Sequence, residues 1–200
     1  MISNTNEIVP TVKNILIDET ISSTKPVFLD NNFLVYWMPV PGDTETVSAE
    51  YNDVLALLIS RKIPAFVSSH VFSEYLNKYL RSYYYQHFKE LNPYNDTSGD
   101  HYKKYFRNKP IYFQVLDQAK DSISEVLTES DLDVTFHEGT DLLINRALKI
   151  SSDQHLDFTD SILAVLANEY GAAVLSDDND LQKSRFPFNL TVYTTHPVKQ

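Results

Sequence analysis

Three short runs, VFLD at 27–30, AFVSS at 65–69 and AAVL at 172–175, begin with uninterrupted apolar residues and are separated by stretches whose apolar residues recur at three and four. A strand that is apolar at every position buries both faces, which is the mark of a parallel strand inside a covered sheet. Strands alternating with helices require crossover connections, and right-handed crossovers place helices on both sides. The pattern therefore predicts an α/β protein, a three-layer αβα sandwich around a central, mainly parallel sheet.

The intervening segments fill in the order. Residues 1–25 are polar and read as an N-terminal leader, with a short helix from Pro10 to Asp18 that carries proline in its first turn. Residues 26–200 read as a single domain. After VFLD, the run FLVYWMPVPGD turns at its Pro-Val-Pro-Gly cluster. Helices are predicted over Glu45–Ser60, over His70–His87 with Ser68 or Ser69 as cap, from Pro110 to Leu127, from Gly139 to Ile150, and from an Asp157 cap to Tyr170 with Gly171 just past the end. Residues 88–110 read as a tyrosine-rich loop or insertion, and Leu190–Tyr193 as a short fourth strand.

Composition removes several function classes. The chain has no cysteine, which excludes disulfides, thiolate zinc sites and cysteine nucleophiles. No apolar run approaches the roughly 18 residues of a membrane span. The start, MISNTNEIVPTVKN, lacks the basic leader and apolar core of a signal peptide, so a cytoplasmic location is expected. Four isolated glycines form neither a phosphate-binding loop nor a dinucleotide fingerprint. A net charge of -10 argues against general coating of nucleic acid, which depends on Lys and Arg neutralising phosphates. The balance is uneven: residues 78–113 hold seven basic and three acidic side chains, 7 − 3 = +4, which leaves −14 for the rest.

Four acids stand out by position: Asp30 after VFL, Glu74 on the second turn of the helix after AFVSS, Asp160 in the first turn of the 157–170 helix, and Asp178 after AAVLS. In an open parallel sheet these places share one rim, beyond the carboxyl ends of the strands, where such folds bind ligands. Carboxylates gathered there repel unless a cation lies between them, and hard oxygen ligands suit Mg²⁺ or Mn²⁺ over zinc. Such a cation orients and deprotonates water, holds a phosphodiester and neutralises developing charge. Without it, at least one carboxyl should be pushed upward. Asp157 reads as a helix cap rather than as part of the set.

At these residues the chain resembles the PIN-domain ribonucleases, including the VapC-type toxins of bacterial toxin–antitoxin pairs. The resemblance rests on Asp30-Asn-Asn32, on Ser-Glu-Tyr-Leu-Asn around Glu74, on Asp160-Ser-Ile-Leu-Ala-Val-Leu-Ala-Asn-Glu-Tyr-Gly171, and on Val-Leu-Ser-Asp-Asp-Asn-Asp-Leu after it. It spans residues 26–194 and departs from the family at Leu181, where an aromatic is usual, and in the long span between Glu74 and Asp160. It implies that Asp30, Glu74, Asp160 and Asp178 form a metal-binding catalytic quartet, supported by Asn32, Ser176 and Asp180. It further implies a Mg²⁺- or Mn²⁺-dependent endoribonuclease acting on RNA, a small antitoxin partner and a homodimer.

Competing readings remain at this level. A PIN-fold module without catalysis would use the rim or the tyrosine segment to hold RNA or protein. A phosphatase of the haloacid dehalogenase type would place VFLDNN and SDDND similarly, but it needs an aspartate where Asn32 stands. Tyr83, Tyr84 and Tyr85, with Tyr94, Tyr102, Tyr105 and Tyr112, suit either stacking on unpaired bases or packing against the domain or a second subunit. His155, near the acids, reads as an ordinary loop histidine.

Overall fold

The six strands of the sheet all run parallel to their neighbours, in the order β1-β6-β5-β2-β3-β4. They are β1 (Thr11–Asn14), β2 (Val27–Leu29), β3 (Ala65–Val67), β4 (Val134–Phe136), β5 (Ala173–Leu175) and β6 (Thr191–Thr194). This computed structural model describes residues 7–21, 23–42, 49–95, 97, 100–128 and 131–197. The helices are α1 (Asn31–Trp37), α2 (Ala49–Ser60), α3 (Ser69–Gln86), α4 (Phe88–Leu91), α5 (Pro110–Thr128), α6 (Asp141–Gln154), α7 (Phe158–Glu169) and α8 (Asn179–Lys183), with a π-helical turn at Lys103–Arg107.

The two central strands, β2 and β5, are buried at every residue and pair Val27 with Ala173, Phe28 with Val174 and Leu29 with Leu175. The chain moves outward from β2 to β3 and β4, then returns to β5 on the other side of β2. Right-handed crossovers in opposite directions put their helices on opposite faces. Accordingly α1 contacts both α2 and α3, and α3 contacts α5, while α6 packs on α7 and α7 on β5 and β2. The result is the expected three-layer α/β sandwich. Seven consecutive residues of α7, Ser161–Ala167, are buried, because this helix is covered by the sheet on one side and by α6 on the other. Each of its large aliphatic side chains contributes about 1.5–3 kcal/mol by leaving water.

Helix ends follow local chemistry. Thr140 caps α6 by accepting from Leu143 N, and Asp157 caps α7 by accepting from Thr159 N at 2.7 Å. Gly171, at φ +62, takes the left-handed position past Tyr170 that ends α7. The start of the helix expected over Glu45–Ser60 lies outside the described residues up to position 48.

Three segments differ from the sequence reading. The helix expected over Pro10–Asp18 is instead β1, an edge strand paired along its length with β6 from Thr11↔Thr191 to Asn14↔Thr194. Its single inner edge and its Lys13 suit a strand that must not extend further. Strand β4 also forms, pairing with β3 from Ala65↔Val134 to Val67↔Phe136. Both unforeseen strands are sheet edges, where one partner strand is missing and a continuous apolar run is not needed. The residues after Asp30 form helix α1 before the Pro-Val-Pro-Gly turn, because Asp30 caps them.

The tyrosine-rich stretch is mainly a packing unit. Tyr84 and Phe106 are fully buried, Tyr79 and Tyr105 nearly so. Phe88, His101, Tyr102 and Phe106 all surround Tyr84 with ring centroids 5.3–5.7 Å away. Arg81 lies over Tyr102 at 5.3 Å and Lys104 over Tyr105 at 4.9 Å, so part of the local basic charge is spent on rings. Tyr85 and Tyr94 alone among the tyrosines of this stretch are strongly exposed.

Candidate active site

Strand order reverses between β2 and β5, and the residues that leave these two strands are Asp30 and Ser176. Asp30 is tied down from several sides. Its N donates to Leu175 O at 3.1 Å, continuing the β2–β5 ladder, and its carbonyl accepts from Phe33 N and Leu34 N to open α1. Its Oδ1 accepts from Asn31 N at 2.6 Å and its Oδ2 from Ser176 Oγ at 2.6 Å. Ser176 Oγ in turn accepts from Asp178 N at 3.0 Å, so one buried hydroxyl links the two aspartates.

Asp178 caps α8, its Oδ1 accepting from Asp180 N at 2.6 Å and Leu181 N at 3.3 Å. Glu74 stands on the second turn of α3, at the open side of the rim, and its Oε1 accepts from Asn31 Nδ2 at 3.1 Å. Asp160 lies in the first turn of α7. Among the described residues its carboxylate accepts no hydrogen bond, unlike those of Asp30, Glu74 and Asp178.

The acids share one electrostatic field. The Asp160 carboxyl is pushed up to about 8, first by burial and then by the charges of Asp30, Asp178, Asp157 and Glu74. Asp30 is pushed up to about 6: burial raises it, the Ser176 and Asn31 hydrogen bonds pull it back, and Glu74 and Asp178 raise it again. Glu74 also moves up, through desolvation and the charges of Asp157 and Asp178, against Asn31 and Lys78.

Oxygen donors with excess negative charge are the ligand chemistry that suits a hard divalent cation. Asn31, which bonds Glu74, and its neighbour Asn32 each hold an Oδ1 shielded from solvent without a hydrogen-bond partner. The acids are near enough to perturb one another, yet among the described residues no three carboxylate or imidazole side chains form a closed cage for an ion.

Asn31 is a site residue that the sequence reading passed over in favour of Asn32. Its role follows from α1: once Asp30 is a cap, Asn31 is the first helical residue and turns its amide toward α3. The stretch Asp177-Asp178-Asn179-Asp180 also resolves into distinct parts. Asp177 faces away from the rim acids and accepts from Tyr51 Oη, Thr194 Oγ1, Thr195 N (2.8 Å) and Thr195 Oγ1 (2.8 Å). Burial alone would raise its carboxyl, but these hydrogen bonds hold it below the usual range. Asp177 is therefore a structural anchor between α2, β6 and the loop after β5.

An open parallel sheet that reverses order at an acidic rim is consistent with a PIN-like three-layer α/β fold. The chain belongs to the PIN domain family, which matches residues 27–187. Among solved structures it is similar to VapBC2 from Rickettsia felis bound to a DNA fragment from the promoter, at 12% identity over 84% of this chain and 97% of that one, with a TM-score of 0.50. It is also similar to VapC20 from Mycobacterium tuberculosis, a sarcin–ricin loop cleaving toxin, at 17% identity over 78% of this chain and 92% of that one, with a TM-score of 0.45. No curated protein sequence matches it significantly. No helix among the described residues is long and apolar enough to cross a membrane.

Proposed function

We propose that the protein is a Mg²⁺- or Mn²⁺-dependent endoribonuclease whose catalytic residues are Asp30, Glu74, Asp160 and Asp178. The observation that carries this reading is the state of Asp160: in the first turn of α7 it accepts no hydrogen bond among the described residues, and burial and the charges of four other acids oppose its ionisation. Such a group is costly in the folded chain unless a cation joins it. When bound, the cation would supply charge neutralisation at the phosphodiester and activation of water.

The side chains have separable tasks. Ser176 fixes the Asp30 carboxylate and, through Asp178 N, the start of α8. Asn31 fixes Glu74 from the first residue of α1. Asn32 and Asp180 flank the quartet as supporting polar groups. The PIN family membership and the VapBC2 assembly that shares the fold support a setting in which a small antitoxin protein restrains the enzyme; a cytoplasmic location and a homodimer belong to the same proposal.

A catalytically inactive binding module is the second reading, and one observation favours it: no three of the acids close around a point. Calorimetric titration with Mn²⁺ and cleavage of total RNA decide between the two. Wild-type protein should bind Mn²⁺ and cleave RNA, and Asp160→Asn should do neither while melting cooperatively. Equal RNA cleavage by wild type and Asp160→Asn in Mn²⁺ would defeat the ribonuclease assignment.

A further inference from the structure

The chain carries a net charge of -10, so a pair of cations near the acidic rim needs a reason. The two line one cavity. Between the α6–α7 turn and the C-terminal end of α8 lies a space of about 350 Å³ lined by Gln154, His155, Leu156, Lys183, Ser184 and Arg185, and by one acid, Asp180. Lys13, Lys120, Arg146 and Lys149 all pair with acids. Among the described residues Lys183 and Arg185 make neither ion pair nor hydrogen bond, and both side chains are exposed.

The other lining groups leave these cations as the main donors. Gln154 Nε2 is committed to Glu7 Oε1 at 2.8 Å, and Ser184 Oγ to Asp180 O at 2.7 Å. His155 ends α6 in the left-handed conformation, φ 54, and is an exposed residue lining the same cavity. A point-charge ammonium and a forked guanidinium beside an imidazole favour a compact anion with several oxygens, above all a phosphate.

Position gives the anion its context. Asp180, which lines the cavity, donates its N–H to the Asp178 carboxylate, and the α6–α7 turn runs directly into Asp157, the cap of the helix bearing Asp160. The cavity therefore adjoins the candidate site from the α7–α8 side. We infer that it is a phosphate subsite for single-stranded RNA, in which Lys183 and Arg185 hold a backbone phosphate next to the cleaved bond. This deepens, and rests on, the ribonuclease reading. The same pair counters the repulsion that a body of net charge -10 exerts on an incoming polyanion.

The test measures binding of a labelled single-stranded RNA in EDTA across a range of KCl, alongside RNA cleavage in Mn²⁺. The proteins are wild type, Lys183→Ala/Arg185→Ala, the charge-preserving Lys183→Arg/Arg185→Lys, and Lys120→Ala, which removes a cation already paired with Asp117. The double alanine variant should bind about tenfold more weakly, with a salt slope lower by about 0.7 for each phosphate the pair neutralises. Its Mn²⁺ affinity and melting temperature should match wild type. The charge-preserving variant should recover most of the affinity, and Lys120→Ala should resemble wild type. RNA affinity and salt slope unchanged in the double alanine variant, with wild type cleaving RNA, overturn the subsite and leave the ribonuclease reading standing. Wild type that neither binds Mn²⁺ nor cleaves RNA removes both. Displacement of RNA by polyglutamate at lower concentration than by polyphosphate also overturns the subsite, in favour of an acidic protein ligand.

Discussion

Ser176 donates its hydroxyl hydrogen to Asp30 across 2.6 Å, joining the end of β5 to the end of β2 where the sheet changes direction. The bond is buried at both ends and charge-assisted, so it is among the stronger single contacts at the rim. Ser176→Ala removes the donor, leaves Asp30 less well satisfied and frees Asp178 N. We predict a stability loss of about 1–3 kcal/mol, a weaker Mn²⁺ site, and cleavage reduced by about tenfold or more. Chemical denaturation, calorimetry and RNA cleavage on the same preparation check the three parts.

The raised carboxyls at the rim give a pH dependence whose sign is fixed. Asp30 and Asp160 hold protons up to about 6 and about 8 in the folded chain, against an ordinary value of 3.8 in the unfolded one. Between those values the folded state binds more protons, so stability falls as pH rises, and the loss is complete above the higher value. In EDTA the melting temperature of the wild type should drop between pH 5 and pH 8.5. Asp160→Asn should flatten that slope and melt about 3 °C or more above wild type at pH 8.5. Saturating Mn²⁺ should raise the wild-type midpoint most at the high end of the range. Parallel pH slopes for wild type and Asp160→Asn in EDTA would show that the charges do not interact as described.

Aromatic packing, not ligand stacking, is assigned to most of the tyrosine-rich stretch, and single substitutions separate the two. Tyr84 is fully buried and its hydroxyl contacts His101 Nδ1 at 2.9 Å. Tyr84→Ala should cost about 3–5 kcal/mol, the range for truncating a buried aromatic. Tyr94→Ala, at 78% exposure, should leave the melting temperature within about 1 °C. Equal melting temperatures for the two variants would refute the packing assignment.

How much of this was legible in the sequence depended on burial. VFL, AFV and AVL are apolar because their strands lie inside the sheet, and the helix from Asp157 to Gly171 announced both of its ends. Strands β1 and β4 were hidden because TVKN and VTF sit at edges and alternate with polar residues, so their pairing comes from tertiary context. The positions of Asp30, Glu74, Asp160 and Asp178 relative to the strands followed from the element order alone. Asn31 did not, because its amide matters only once Asp30 caps a helix. Asp177 did not either, since its partners Tyr51, Thr194 and Thr195 lie 126, 17 and 18 residues away.

That last network carries a prediction which distinguishes neighbouring acids. Asp177 and Asp178 are consecutive, yet one is saturated by hydroxyls and a backbone N–H while the other looks onto the rim. Asp177→Ala strands Tyr51 Oη and the two threonine hydroxyls in a partly buried place, and it unties α2 from the end of β6. A loss of about 2–4 kcal/mol is expected, the cost of breaking a buried charge–hydrogen-bond cluster by removing its centre. Because the folded Asp177 carboxyl lies below its ordinary value, its contribution is present above about pH 4 and fades as pH falls through the lowered value. Wild type should therefore lose its advantage over Asp177→Ala at strongly acid pH. Mn²⁺ affinity of the folded Asp177→Ala protein should stay within about threefold of wild type, whereas Asp178→Asn should weaken it by about tenfold or more with little change in stability. A collapse of Mn²⁺ binding in Asp177→Ala, at temperatures where it remains folded, would move Asp177 from anchor to ligand.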